Sequence, residues 1–98
     1  MSRPRGSPRT AKRWWVYLLE LRDGRLYTGI TTDLARRVAQ HRAGTGSRMV
    51  RSAGVKRLAY AEWQPNHSAA LRREAAIKRW TRKRKLALVA RARGRGIG

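Results

Sequence analysis

Two short apolar runs, Trp14 to Leu21 and Leu26 to Ile30, flank an Asp23-Gly24 pair, and they constrain the fold more than any other stretch of the chain. Both are rich in aromatic and branched residues, and an Asp-Gly between such runs is a strong hairpin signal. An antiparallel hairpin is therefore expected, but its register is open. A two-residue turn at Asp23-Gly24 would pair Arg22 with Arg25 and send Tyr17 and Tyr27 to opposite faces of the sheet. An odd-numbered connection, or a bulge, would place Tyr17 opposite Tyr27 on one face.

After the hairpin, Thr31, Thr32 or Asp33 can cap a helix from Leu34 to about Ala43, with Gly44 as its stop. Leu34, Arg37, Val38 and His41 recur at helical spacing and form a stripe that faces a core. Residues 44 to 54 read as a basic loop or short helix, and Val55 to Trp63 as a third strand closed by Pro65. Ser68 can cap a helix from Ala69 to Trp80 that carries Glu74 between Leu71 and Ile77, and Thr81 can restart a last helix. The sum is a small α+β domain, a three-stranded antiparallel sheet flanked by helices.

The 98 residues allow one domain, expected over residues 13 to 90, between basic flexible tails at 1 to 12 and 91 to 98. The net charge of +20 comes from 25 Lys and Arg against five acids, and it points to an anionic partner. Nucleic acid is the expected one, DNA first and RNA as the alternative. Membrane partners are excluded as an expectation, because no apolar run approaches the roughly 18 residues of a spanning helix. The short run after the N-terminal arginines is interrupted by Glu20, so the expected location is cytoplasmic. With no cysteine, disulfides and thiolate metal sites are excluded.

Tyr17, Tyr27, Arg37, His41 and Glu74 stand at spacings that resemble the GIY-YIG endonuclease family, its small stand-alone bacterial branch. Trp15-Val16-Tyr17 takes the place of the first triplet and Tyr27-Thr28-Gly29 that of the second. Arg37 follows ten residues past Tyr27, His41 one turn later, and Glu74 lies in Arg72-Arg73-Glu74-Ala75-Ala76. Trp15 replaces a family Gly, Thr28 replaces an Ile, and the sole Asn, Asn66, precedes Glu74 where some members place one after it. The resemblance covers residues 14 to about 80 and implies the α+β fold already read from the pattern. Because the family's tyrosines share a site, it also favours the register with Tyr17 opposite Tyr27.

The resemblance implies a metal-dependent endonuclease that hydrolyses phosphodiester bonds in DNA, structure-selective or weakly sequence-specific. Glu74 would hold a single Mg²⁺ or Mn²⁺. Arg37 would clamp the phosphate through its planar fork. Tyr17 would accept the water's proton once nearby cations favour its phenolate, with His41 as its proton partner or as the base itself. Tyr27 would orient water or phosphate, and Gly29 would leave room for the substrate to approach. Arg36, Arg48, Arg51, Arg73 and Lys78 are the expected phosphate contacts. The alternative is a non-catalytic nucleic-acid binding protein on the same fold. Taken singly, each site residue also has a plainer role: the tyrosines as packing, His41 as a cation at a helix C-terminus, Glu74 as a partner for Lys78.

Overall fold

In the computed structural model, which describes residues 13 to 97, three antiparallel strands, β1 (Trp14–Leu21), β2 (Leu26–Thr31) and β3 (Val55–Gln64), form a sheet in the order β2-β1-β3. The helices are α1 (Leu34–Arg42), α2 (Arg48–Ala53), α3 (His67–Lys78) and α4 (Arg82–Ile97). The apolar character of β1 follows from its central place. Val16 and Leu18 pack on one face with Ala70 and Ile77 of α3 and Leu88 and Val89 of α4. Tyr17, Leu19 and Leu21 pack on the other with Leu34 and Val38 of α1 and Met49 and Val50 of α2. A strand covered on both faces has little use for polar alternation.

The hairpin connection settles the register. Leu21 N–H donates to the Arg25 carbonyl at 2.9 Å, Gly24 N–H donates to the Leu21 carbonyl at 2.9 Å, and Gly24 adopts φ 90°, which its lack of a Cβ permits. The connection is odd-numbered, so the two tyrosines share a face as expected. The pairing itself is shifted: Tyr17 lies opposite Gly29 and Tyr27 opposite Leu19, so the tyrosines are diagonal neighbours and not a direct pair. Face alternation fixes the parity of a register, whereas the turn's own hydrogen bonds fix its offset.

Asp33 caps α1 by accepting from Arg36 N–H, and Ser47 caps α2. Helix α3 begins at His67, not Ala69, because Asn66 and not Ser68 accepts from Ala69 N–H. Helix α4 follows Thr81, whose hydroxyl accepts from Arg84 N–H, and it runs on through Ile97, so residues 91 to 97 are helical where a basic tail was expected. Alternating Arg and Ala are good helix formers and carry the helix past Gly94. The expected tail at residues 1 to 12 lies outside the described residues. No helix among those described is long and apolar enough to cross a membrane.

Strand β3 is tied to α3 by Glu62. Its carboxylate accepts from Arg73 Nε at 2.7 Å and Nη2 at 3.1 Å, from the Tyr60 hydroxyl at 2.6 Å and from Gln64 Nε2 at 2.7 Å. Burial alone would push the Glu62 carboxyl up, but Arg73, Tyr60 and Gln64 together hold it below the usual range. The same burial, with the bond to Glu62, pushes the Tyr60 phenol up to about 12. Glu62→Ala removes the acceptor and leaves Arg73 and Tyr60 without it. Urea unfolding is expected to register a loss of about 1.5–3 kcal/mol, the scale of hydrogen bonds to a charged group.

Candidate active site

Tyr17, Tyr27 and His41 converge between the sheet and α1. The Tyr17 hydroxyl lies 2.8 Å from His41 Nε2, and both side chains are almost fully buried, at 1% and 2% exposure. The Tyr27 ring meets the imidazole edge-on at a centroid distance of 5.3 Å and stands 6.5 Å from the Tyr17 ring. Local geometry explains the convergence. Tyr17 is on the α1 side of β1, Tyr27 is diagonal to it on β2, and His41 falls on the stripe of α1 that also buries Leu34 and Val38.

Two glycines make the fit possible. A Cβ built on Gly29 would lie 2.5 Å from the Tyr17 hydroxyl oxygen and 2.6 Å from Cζ, so the tyrosine ring lies directly across its strand neighbour. The space above Gly29, expected for substrate, is taken by Tyr17. A Cβ on Gly46, in the loop after α1, would lie 2.4 Å from His41 Nδ1. That nitrogen has no hydrogen-bond partner among the described residues.

Charge surrounds this neutral pair. Arg37, one turn before His41, is half-buried and donates from Nη1 to Gln40 Oε1 at 3.1 Å. Burial raises the Tyr17 phenol above its ordinary value; Arg37 opposes the shift, while Tyr27 and the Glu74 carboxylate add to it. Removal from water therefore outweighs the Arg37 cation at Tyr17. Burial, with the Arg37 charge behind it, lowers His41. Both partners are neutral near pH 7.

Glu74 on α3 is close enough for its charge to act on Tyr17, and it forms an i,i+4 ion pair with Lys78 at 3.2 Å, with only 18% of its side chain exposed. The ion pair with Lys78 is the plainer role that the sequence also allowed. Among the described residues no three His, Asp or Glu side chains cluster as metal ligands. Glu74 alone offers a hard oxygen, which fits a cation that keeps several waters and binds mostly through phosphate.

Arg36, Arg48 and Arg51 are exposed. Arg73 departs from the expected set of phosphate contacts, since its guanidinium is held by Glu62 and lies 5.2 Å from the Trp80 ring. Lys78 is committed to Glu74. Gln40, which holds Arg37, and Gly46, which abuts His41, were not singled out from sequence. The i+3 spacing of Gln40 from Arg37 was a usable signal; nothing local marks Gly46.

The family model of the GIY-YIG catalytic domain matches residues 13–87. The chain belongs to the GIY-YIG family. It is similar to a UPF0213 protein of Klebsiella pneumoniae subsp. pneumoniae, 47% identical over 77 residues that cover 79% of this chain and 73% of that one. It is also similar to the UPF0213 protein YhbQ of Escherichia coli O127:H6, 44% identical over 77 residues covering 79% and 77% of the two chains. A solution NMR structure of a UPF0213 protein from Bacillus halodurans is 38% identical, with a TM-score of 0.52 over 80% of this chain and 83% of that one. GIY-YIG membership thus agrees with the expectation drawn from the spacing of Tyr17, Tyr27, Arg37, His41 and Glu74, and the three-stranded architecture agrees with it too.

Gly29→Ala tests how closely the site depends on backbone approach. The new methyl collides with the Tyr17 ring, so a stability loss of about 1–3 kcal/mol is expected, as for overpacking. In the same variant the His41 titration, followed by NMR, is expected to move up toward the ordinary histidine value as its burial is disturbed. Wild-type stability with an unmoved titration would show that the ring does not need the missing Cβ.

Proposed function

We propose that this chain is a metal-dependent endonuclease that hydrolyses phosphodiester bonds in DNA. Its membership of a family described as a catalytic domain supports the reading, and the observation that carries the mechanism is the 2.8 Å contact between the Tyr17 hydroxyl and His41 Nε2. With Tyr17 raised and His41 lowered, the phenol is protonated and the imidazole is neutral, the states needed for a relay. Tyr17 passes its hydroxyl proton to His41 Nε2 as it takes one from the attacking water. No free phenolate has to form. The relay needs the His41 tautomer that carries its proton on Nδ1, with Nε2 as acceptor.

Tyr27, packed against both rings, would hydrogen-bond the water or the phosphate, and Arg37 supplies a planar, permanently charged fork for the phosphate. Gln40 holds that fork in place. Glu74 would hold one Mg²⁺ or Mn²⁺, which when bound relieves charge on the phosphate oxygens and favours ionisation of water. Lys78 would release Glu74 in that state, and Lys78, Arg36, Arg48 and Arg51 would each contact the nucleic acid.

Incubation with nicked, branched and plain duplex DNA, with and without divalent cation, tests the reading directly. Tyr17→Phe is expected to slow cleavage by about 10²- to 10⁴-fold. Glu74→Gln should abolish cation-dependent cleavage while DNA affinity stays close to that of the unsubstituted chain, because binding rests on the many cations. Binding without cleavage in the unsubstituted chain under every condition would leave only the nucleic-acid binding alternative.

The pH profile adds an independent check. His41 must be neutral to accept the proton, and its folded value is lowered, so activity falls only as pH drops through that lowered value. The acid limb is expected below pH ~6.5, the ordinary histidine midpoint. Stability follows the same sign: the unfolded chain binds the proton more readily, so the contribution of neutral His41 is full above ~6.5 and declines as pH falls toward the folded value. An acid limb above ~6.5 would remove His41 from the relay.

A further inference from the structure

Beside the Tyr17–His41 pair, at the outer edge of β2 and the start of α1, lies a concavity of about 310 Å³ whose walls include Trp14, Thr32, Asp33, Arg36, Arg37 and Gln40. We propose that this concavity is the subsite for a single unpaired nucleotide next to the scissile phosphate, its base against the Trp14 indole and its phosphate between Arg36 and Arg37. The proposal rests on the nuclease reading and deepens it by naming the substrate class: strands with a looped-out, bulged or single-stranded nucleotide at the cut, in preference to continuous duplex.

Four observations carry it. The volume sits at the low end of the roughly 300–1,000 Å³ typical of ligand pockets, room for one nucleotide and not for a duplex. Trp14 is half-buried at the end of β1, and its indole is held by a stack on the His67 ring at 4.3 Å and 26°, so it forms a fixed wall. A rigid aromatic face takes any base and is sequence-tolerant. Arg36 is exposed and its guanidinium has no ion-pair partner among the described residues, and Arg37 belongs both to this concavity and to the surroundings of Tyr17. A phosphate shared by the two guanidiniums would therefore stand between the pocket and the reacting groups.

The rest of the lining is mixed in sign and hydrogen-bonding character. Gln40 Oε1 is occupied by Arg37, and Asp33 Oδ1 by the Arg36 N–H. An acidic oxygen beside two guanidiniums disfavours a bare multiply charged anion and suits a ligand with one phosphate and a base whose edge carries N–H donors. A base inside a duplex has its faces stacked and its pairing edge used, so only an extruded or unpaired base can enter.

Fluorescence anisotropy in the presence of a chelator, which separates binding from cleavage, tests the subsite on the full chain. The probes are two duplexes that differ at one position, a single-nucleotide bulge with its base and the same bulge with an abasic sugar. The base is expected to tighten binding by about 5- to 150-fold, the range one base–aromatic stack supplies. That ratio should fall to about one in Trp14→Leu, stay above one in Trp14→Phe, and persist in Trp63→Leu, which removes the 48%-exposed tryptophan of β3. Equal affinity for the two bulges, or a ratio lost with Trp63 and kept without Trp14, would overturn the proposal even if Trp14→Leu folds poorly. A free deoxynucleoside monophosphate that filled the site ahead of the bulged strand would assign it to a soluble nucleotide and also overturn it. Loss of all nucleic-acid binding would instead strike the nuclease reading on which the subsite rests.

Discussion

The approach of the Tyr17 ring to the bare backbone of Gly29 is the contact on which the rest of this molecule depends. It exists because a three-residue connection between β1 and β2 offsets the register by one pair of positions and brings glycine, not Tyr27, opposite Tyr17. The ring can then lie flat against β2, with its hydroxyl 2.8 Å from His41 Nε2. Gly46 repeats the device from the other side by letting a loop backbone close over the imidazole. Two missing side chains thus define a slot into which one tyrosine and one histidine fit. Burial of that slot sets both protonation states.

The same architecture keeps a buried, neutral pair apart from a strongly basic surface. All five acids are engaged: Glu20 with Arg57, Asp23 with Arg25, Asp33 with the start of α1, Glu62 with Arg73 and Glu74 with Lys78. Four of them thereby hold a basic side chain in place within the fold, while most Lys and Arg among the described residues lie without a carboxylate partner. The surplus surrounds the domain and makes an anionic polymer the natural partner. A side chain with an accessible charge would feel that surplus strongly. Tyr17 and His41 avoid it by being out of water.

Much of this was legible in the sequence, and the failures share a cause. Hydrophobic periodicity disclosed the strands, the core stripe of α1 and the helix that bears Glu74, because each is a local pattern. The spacing of Tyr17, Tyr27, Arg37, His41 and Glu74 pointed to the family for the same reason. The offset of the hairpin escaped, since alternation constrains parity and the turn's hydrogen bonds choose among registers of equal parity. Arg73 escaped because its partner Glu62 is eleven residues away on another element. Helix α3 starts at His67, capped by Asn66, because an Asn and a Ser two positions apart are comparable caps in sequence and it is Asn66 that accepts from Ala69 N–H.

The protonation of Tyr17 turns on a property that sequence does not display. Sequence displays charge in full, and a chain at +20 invites the inference that a phenol near Arg37 loses its proton. Burial is not displayed, and it acts on the ionised form of every group: it raises Tyr17 and lowers His41, so one environment drives both to neutrality. A phenol and an imidazole that are both neutral and share one hydrogen bond are suited to pass a proton along, whereas a phenolate beside a guanidinium would be held by the cation. Desolvation therefore leaves a neutral phenol hydrogen-bonded to a neutral imidazole in place of a phenolate beside a cation. It does so only while Gly29 and Gly46 keep the slot closed, so the protonation chemistry of this site is set by the absence of two Cβ atoms.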